Sequence, residues 1–172
     1  MFYSSTQLRF LTAVVLVCVL QACGFALRGS VELSPDMSPL FLQKNSVLEL
    51  GRDLESLLIS SKVNLVDDAK RSNAQLALVK ESKKRRVLSV DSNGRAREYL
   101  LSYTVIFSIK INSESDAIAK PAVEDNVSLS RSLLFDSSAV LAVANESEVL
   151  YKDMRRDAAR LILLKLQAHS NK

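Results

Sequence analysis

The sequence predicts an α+β domain: a two-layer sandwich whose four-stranded, mostly antiparallel sheet carries two helices on one face, in the order β-α-β-β-β-α. Three observations predict it. From Tyr99 to Ile111 every second residue is apolar and most of those between are polar, as in a half-buried strand. An Asp91-Ser-Asn-Gly94 turn stands immediately before that strand. Two other segments, about residues 46–61 and the region after Asp136, repeat apolar residues at steps of three and four. The chain has 172 residues, 48% apolar and 24% charged, enough for one domain with a core and short for two.

Taken in order, Pro39-Leu-Phe-Leu-Gln43 predicts a first strand. Ser46-Val-Leu-Glu49 fits a capping box, with the Ser hydroxyl accepting from the fourth residue's amide while Glu reaches back. Val47, Leu50, Leu54, Leu57, Leu58 and Ser61 then share one face of a helix over 46–61, in which Gly51 costs about 1 kcal/mol relative to Ala. Val63-Asn-Leu-Val66 reads as a short extended piece, and 67–73 as a polar turn. Ala74–Val79 and Val87–Val90 are apolar runs separated by a charged stretch, and the Asn93-Gly94 turn joins the second run to the strand at Tyr99. Along that strand Tyr99, Leu101, Tyr103, Val105, Phe107, Ile109 and Ile111 point one way, with Ser102, Thr104, Ser108 and Lys110 opposite. This pattern suits a sheet with helices on one side.

Residues 112–121 form a polar loop. Val127, Leu129, Leu133 and Phe135 alternate with serines in a further strand; Arg131 falls on the apolar parity and requires a strand end or a partner. Asp136 or Ser137 caps a terminal helix whose apolar face is Val143, Leu150, Met154, Ala158, Leu161, Leu164 and Ala168, with Lys152, Arg156 and Arg160 on another face. No internal repeat or low-complexity segment interrupts this order.

The N-terminus is an address. After Arg9 comes an eleven-residue, largely apolar stretch from Phe10 to Leu20, then Gln21-Ala22-Cys23. A positive residue, an apolar core and a small residue before a cut site describe a secretory signal, and the stretch is about half the roughly 20 residues that span a bilayer. Leu20-Gln21-Ala22-Cys23 resembles the bacterial lipobox, in which the Cys receives a diacylglycerol thioether and an N-acyl chain. The alternative is an ordinary signal followed by Cys. Both cysteines of the chain lie within the first 23 residues, so Cys23 has no partner after cleavage, and an exported lone thiol is a reactive liability. Two or more acyl chains anchor a protein stably. Gly24, rather than the Asp associated with inner-membrane retention, directs the expectation to the outer membrane, facing the periplasm. The expected organisation is a cleaved signal at 1–22, a lipidated linker at 23–37, one domain at 38–169 and a tail at 170–172.

One His and two N-terminal Cys leave too few groups for a His/Cys metal site, a Cys/His nucleophile pair or a disulfide framework. Enzymes built on carboxylates or Lys stay open. Gly24-Phe-Ala-Leu-Arg-Gly29 has the glycine spacing of a phosphate loop but lacks its Lys and a preceding strand. His169 reads as a solvated helix-end residue, and Tyr99 and Tyr103 as core. No cofactor is expected beyond the covalent lipid on Cys23.

What survives is charge. Between Lys80 and Arg97 seven basic residues (Lys80, Lys83, Lys84, Arg85, Arg86, Arg95, Arg97) face two acidic ones (Glu81, Asp91). A solvated strand edge is one reading, since Lys on an edge discourages aggregation. Binding of phosphate is the other: in the periplasm the abundant anions are lipid phosphates rather than nucleic acid, and Arg forks and Lys point charges both suit them.

Cys23-Gly24-Phe25-Ala26-Leu27-Arg28-Gly29 resembles the CGFxLRG opening of the LptE family of lipopolysaccharide-assembly lipoproteins. Arg97-Glu98-Tyr99 is similar to that family's REY segment. Ser130-Arg131-Ser132, Asp136, Asn145-Glu146, Tyr151 to Met154 and Asp157-Ala158-Ala159 resemble its terminal strand and helix. The resemblance implies a non-enzymatic lipoprotein that plugs the outer-membrane barrel LptD, helps it assemble, and binds lipopolysaccharide on its way to the cell surface. It implies a fold of two helices on a four-stranded sheet. Two positions depart from the family, Val143 and Ser92, where members often carry a base. Lipopolysaccharide binding is therefore expected from Arg95, Arg97, Lys83, Lys84, Arg85 and Arg86. Two rival readings share the anchor: an accessory lipoprotein of another outer-membrane barrel-assembly or lipid-transport machine, and an anchored carboxylate hydrolase.

Overall fold

A computed structural model describes residues 33–44, 47–112 and 121–170. The signal, Cys23, Ser46 and most of the loop expected at 112–121 lie outside them. The elements are β1 (Leu40–Gln43), α1 (Leu48–Ser60), β2 (Leu65–Val66), β3 (Ala74–Val90), β4 (Ala96–Ile111), β5 (Val123–Leu134) and α2 (Val140–Ser170), with 3-10 turns at Pro35–Met37 and Ala69–Arg71.

The α+β architecture holds, but the sheet has five strands, not four, in the order β2-β1-β3-β4-β5. The piece expected at 63–66 supplies the extra one: Leu40 pairs with Leu65 and Phe41 with Val66, in parallel. Two residues are too few for alternation to register as a strand. β1 is also parallel to β3, so the sheet is mixed, and only β3–β4 and β4–β5 are antiparallel. The two apolar runs expected at 74–79 and 87–90 are one strand of 17 residues. The ladder is made of backbone groups, so the charged stretch between the runs does not interrupt it.

On β4, Leu101, Tyr103, Val105, Phe107 and Ile109 are buried, as the alternation predicts. Ala74, Leu76 and Leu78 of β3 and Val127 and Leu133 of β5 join them beneath the two helices. Each fully buried Leu or Phe contributes about 1.5–3 kcal/mol relative to exposure. The Tyr103 hydroxyl, without a hydrogen-bond partner among the described residues, is the exception in this layer. Burial and the nearby Glu81 carboxylate push its pKa up, keeping it neutral.

α1 buries Leu50, Gly51, Leu54 and Leu58. Ser46, the capping-box residue, lies outside the described residues; the cap position is Val47, which makes no side-chain cap bond, and Glu49 pairs with Arg155. At the other end Lys62 adopts φ +61°, while its N–H donates to Ile59 O and that of Val63 to Leu58 O. This is a Schellman turn with Lys where glycine is usual.

α2 opens at Val140. Asp136 caps the turn before it, accepting from the Ser138 amide and hydroxyl, which hold its carboxyl below the usual range. Val143, Met154 and Ala158 are buried as expected, but Leu161, Leu164 and Ala168 are not. The core stripe goes on through Ala159, Ile162, Leu163 and Leu166. From Ala158 the helix offers apolar residues at both three and four steps, and a 3.6-residue turn over this length favours the four-step branch. Of the two expectations for Arg131, a strand end or a partner, the structure shows the partner, Asp157 of α2 at 3.1 Å. Lys165 reaches Asp125 of β5 at 2.6 Å, so two ion pairs lash α2 to the outer strand.

Candidate functional site

The segment that stands out is the β3–β4 hairpin. Its turn is closed by the Asp91 N–H donating to Arg95 O at 2.8 Å, while Asp91 Oδ1 accepts from the amides of Asn93 and Arg95, each at 2.8 Å. Gly94 alone takes a left-handed backbone, φ +77°, so glycine, rather than the Asn-Gly pair, meets the turn's demand. Phe135 N donates to Arg97 O at 2.9 Å, tying the turn end of the hairpin to the β5–α2 connection.

The β3–β4 ladder carries three register shifts, and the first of them decides where the basic residues of β3 point. The first, between Leu78 and Lys80, moves the helix-facing parity to Glu81, Lys83 and Arg85. Lys83 pairs across with Tyr103 and Arg85 with Leu101, both core residues, whereas Lys84 pairs with Ser102 and Arg86 with Leu100 on the opposite face. The cluster expected at 83–86 is thus split between the faces of the sheet.

The two helix-side cations rest on aromatic rings. Lys83 Nζ lies 5.6 Å from the Tyr151 centroid, and the Arg85 guanidinium 4.8 Å from that of Tyr99. Tyr99 in turn meets Phe135 edge-on at 5.4 Å. Such cation–ring contacts are worth about 0.5–1 kcal/mol at exposed sites. Tyr151 also donates its hydroxyl to Lys84 O at 3.0 Å, and burial raises its pKa. It therefore clamps the middle of β3 from α2 by its ring and its hydroxyl.

Arg95 and Arg97 are exposed at the turn end, roughly 20 Å along the strand from Lys83. They and Arg86 form no ion pair among the described residues. Of the two departing positions, Ser92 is exposed in the turn, and Val143 is a buried residue of the first turn of α2. His169 sits in the last turn of α2 with Nδ1 2.9 Å from Lys165 O, a local contact. The clamp by Tyr151 and the ring contacts are what sequence reasoning missed. Tyr151 was legible only as a helix residue, because its partners lie 67 positions away or more.

No group of three His, Cys, Asp or Glu among the described residues could hold a metal, and no helix there is long and apolar enough to cross a membrane. Concave places occur away from the hairpin, one beside the Ala69–Arg71 turn and one between the helices around Asp53, Arg156 and Arg160.

Comparison with known proteins places this arrangement. The chain is 30% identical to rare lipoprotein B of Shewanella oneidensis, with a TM-score of 0.67 over 76% of this chain and 94% of that one. It is likewise 30% identical to a lipoprotein B of Nitrosomonas europaea, with a TM-score of 0.66 over 86% and 93%. Among curated relatives, the LPS-assembly lipoprotein LptE of Yersinia enterocolitica is 29% identical over 152 residues, 87% of this chain and 70% of that protein. The namesake of Pectobacterium atrosepticum is 27% identical over 87% and 79%. The profile of the LptE family, described as lipopolysaccharide-assembly, matches residues 39–166, from the first residue before β1 to the last turns of α2. The chain belongs to the LptE family of lipopolysaccharide-assembly lipoproteins.

Proposed function

We propose that this chain is a lipoprotein of the outer membrane that plugs the LptD β-barrel, helps it assemble, and binds lipopolysaccharide in transit to the outer leaflet. The observation that carries the reading is the family match across nearly the whole folded domain, residues 39–166. Acyl chains on Cys23 hold the domain at the periplasmic side of the membrane, and the sheet with its two helices forms the stiff body that fills the barrel lumen. The role is that of a scaffold and a binding surface, without catalysis.

The hairpin offers the phosphates of lipopolysaccharide a site that competes with lipid packing and divalent-cation bridging. Arg95 and Arg97 carry that contact from the turn end, with Arg86 and Lys84 on the helix-free face of the sheet. Lys83 and Arg85, resting on Tyr151 and Tyr99, hold the strand in place and add field rather than a free fork. Guanidinium–phosphate contacts are bidentate and charge-assisted, which suits the arginines that make no ion pair among the described residues.

The test is a pull-down of the C-terminally tagged chain from detergent-extracted outer membranes, with its partner identified by mass. A stoichiometric large β-barrel matching LptD is the expected result. A different machine, or no partner, overturns the assignment of the barrel.

A further inference from the structure

The end of the domain opposite the hairpin carries a second basic place. A cleft of about 430 Å³ opens there beside the Ala69–Arg71 turn, lined by Lys70, Arg71, Asn73, Gln75 and Asn112. No carboxylate among the described residues lines it. Gln75 pairs across with Lys110 on the helix-free face of the sheet, which sets a third cation beside it.

Hydrogen bonds fix this surface from within. Asn73 uses both side-chain hydrogens inside the domain: Nδ2 donates to Pro35 O at 3.2 Å and to Ser38 O at 2.7 Å. It therefore offers a ligand its oxygen alone, as an acceptor. Asn112 donates Nδ2 to Ser72 O at 2.9 Å, and its N–H donates to Asn73 O at 2.7 Å. Asp68 is turned to the backbone of the turn, where its Oδ1 accepts from Lys70 N at 2.9 Å. Lys70, Arg71 and Lys110 form no ion pair among the described residues.

Cationic donors beside a fixed acceptor select a chemistry. Inorganic phosphate would engage the cations and leave the acceptor idle. A phosphodiester that carries a hydroxyl engages both: its oxygens take the Lys and Arg donors, and its hydroxyl donates to the amide oxygen. A phosphoglycerol headgroup of an anionic phospholipid is such a group.

Position favours the same ligand. β3 runs from this end to the hairpin over 17 residues, roughly 50 Å at the rise of a strand. A bilayer with its headgroups is about 40–45 Å thick. With β3 along the membrane normal and the hairpin at the outer leaflet, the cleft stands at the level of the periplasmic leaflet. Residues 35–38, the first part of the domain, lie on this side too, since they supply the carbonyls that Asn73 binds.

We infer that the cleft beside the Ala69–Arg71 turn holds the phosphoglycerol headgroup of an anionic phospholipid, with Lys70 and Arg71 on the phosphate and Asn73 on a hydroxyl. The inference rests on the reading of a lipid-anchored outer-membrane domain and adds to it a lipid site away from the hairpin. An acyl tether limits distance but not orientation. A headgroup held at one end of the domain supplies the orientation.

The test uses the full-length chain in a nonionic detergent. Glycerophosphoglycerol, the headgroup without acyl chains, and inorganic phosphate are titrated into it calorimetrically at equal ionic strength. Glycerophosphoglycerol should bind roughly fivefold more tightly than phosphate, or better. Lys70→Gln with Arg71→Gln should weaken that binding roughly tenfold or more, and Lys110→Gln, the second variant, about fivefold. Arg95→Asp with Arg97→Asp, at the other end, should leave it unchanged. Far-UV circular dichroism checks the fold of each variant. Phosphate binding as tight as that of the headgroup assigns the cleft to free phosphate and overturns the lipid assignment. No binding, or binding that neither variant at this end weakens, overturns the site. Mass spectrometry of the Cys23 peptide tests the underlying reading separately. Headgroup binding by a chain without acyl groups there removes the anchor and leaves the cleft, whereas acylated Cys23 without headgroup binding does the reverse.

Discussion

Arg155 of α2 crosses the interface between the two helices and donates from Nε to Asp53 Oδ2 of α1 at 2.7 Å. A second guanidinium nitrogen reaches Glu49, so one largely buried side chain joins two turns of α1 to the middle of α2. Burial opposes its charge, but the bond and charge of Asp53, with the charge of Glu49, more than offset this and raise its pKa. Removal of one partner from such a pair leaves charge without compensation. Arg155→Ala should therefore lower unfolding free energy by about 2–3 kcal/mol. Arg155→Lys, a point charge without the fork, should restore less than half. Urea denaturation of both variants checks this; an Ala variant as stable as the parent would remove the pair from the account.

Gly51 is needed for close approach. A β-carbon there would lie 2.5 Å from Lys44 Cβ, an atom fixed to the backbone just beyond β1. Helix propensity favours Ala by about 1 kcal/mol, yet overpacking of this kind costs about 1–3 kcal/mol. Gly51→Ala is expected to be net destabilising in the same denaturation experiment, against the direction that propensity alone predicts.

Lys62 gives the opposite case. Its φ of +61° closes the Schellman turn after α1, a conformation that costs a side-chain-bearing residue about 1 kcal/mol. Lys62→Gly should raise the unfolding free energy by about 0.5–1 kcal/mol, seen as a higher urea midpoint with unchanged slope.

Asp125 sets part of the acid limb of stability. The hydrogen bond from Lys165 holds its carboxyl below the usual range. A depressed folded pKa contributes stability above the unfolded value, near 3.9, that is lost as pH falls through the folded one. Asp125→Asn should thus cost stability at pH 7, by less than about 1 kcal/mol because the pair is partly solvated, and nothing at the acid end. Denaturation midpoints measured from pH 7 down to pH 2 should converge; parallel curves would contradict the pairing.

Arg95→Asp with Arg97→Asp should reduce lipopolysaccharide binding by tenfold or more and leave the circular dichroism unchanged, since both residues are exposed and neither forms an ion pair among the described residues. Lys83→Gln should change binding less, because that cation rests on Tyr151. Undiminished binding by the double variant would exclude the turn end as the phosphate site.

The sequence by itself determined the long-period features. Alternation over Tyr99–Ile111 named the core-facing side of β4, the 91–94 turn marked the hairpin, and the parity of Arg131 asked for a strand end or a partner, of which the structure supplies the partner, Asp157. Each is a local pattern, and each repeats often enough to outweigh chance. Tertiary structure decided what depends on distant partners or on a single residue. The two-residue β2 is paired through the parallel edge that β1 offers it, and the burial of Ile162, Leu163 and Leu166 rather than Leu161 and Leu164 is seen only once α2 is packed on the sheet. One bulge on β3, between Leu78 and Lys80 and invisible in composition, set the parity of the basic run so that Lys83 and Arg85 meet rings while Lys84 and Arg86 face away. Side-chain period in a strand is two, so one inserted residue reverses the face of every residue that follows, and no local signal in the chain records where that insertion is tolerated.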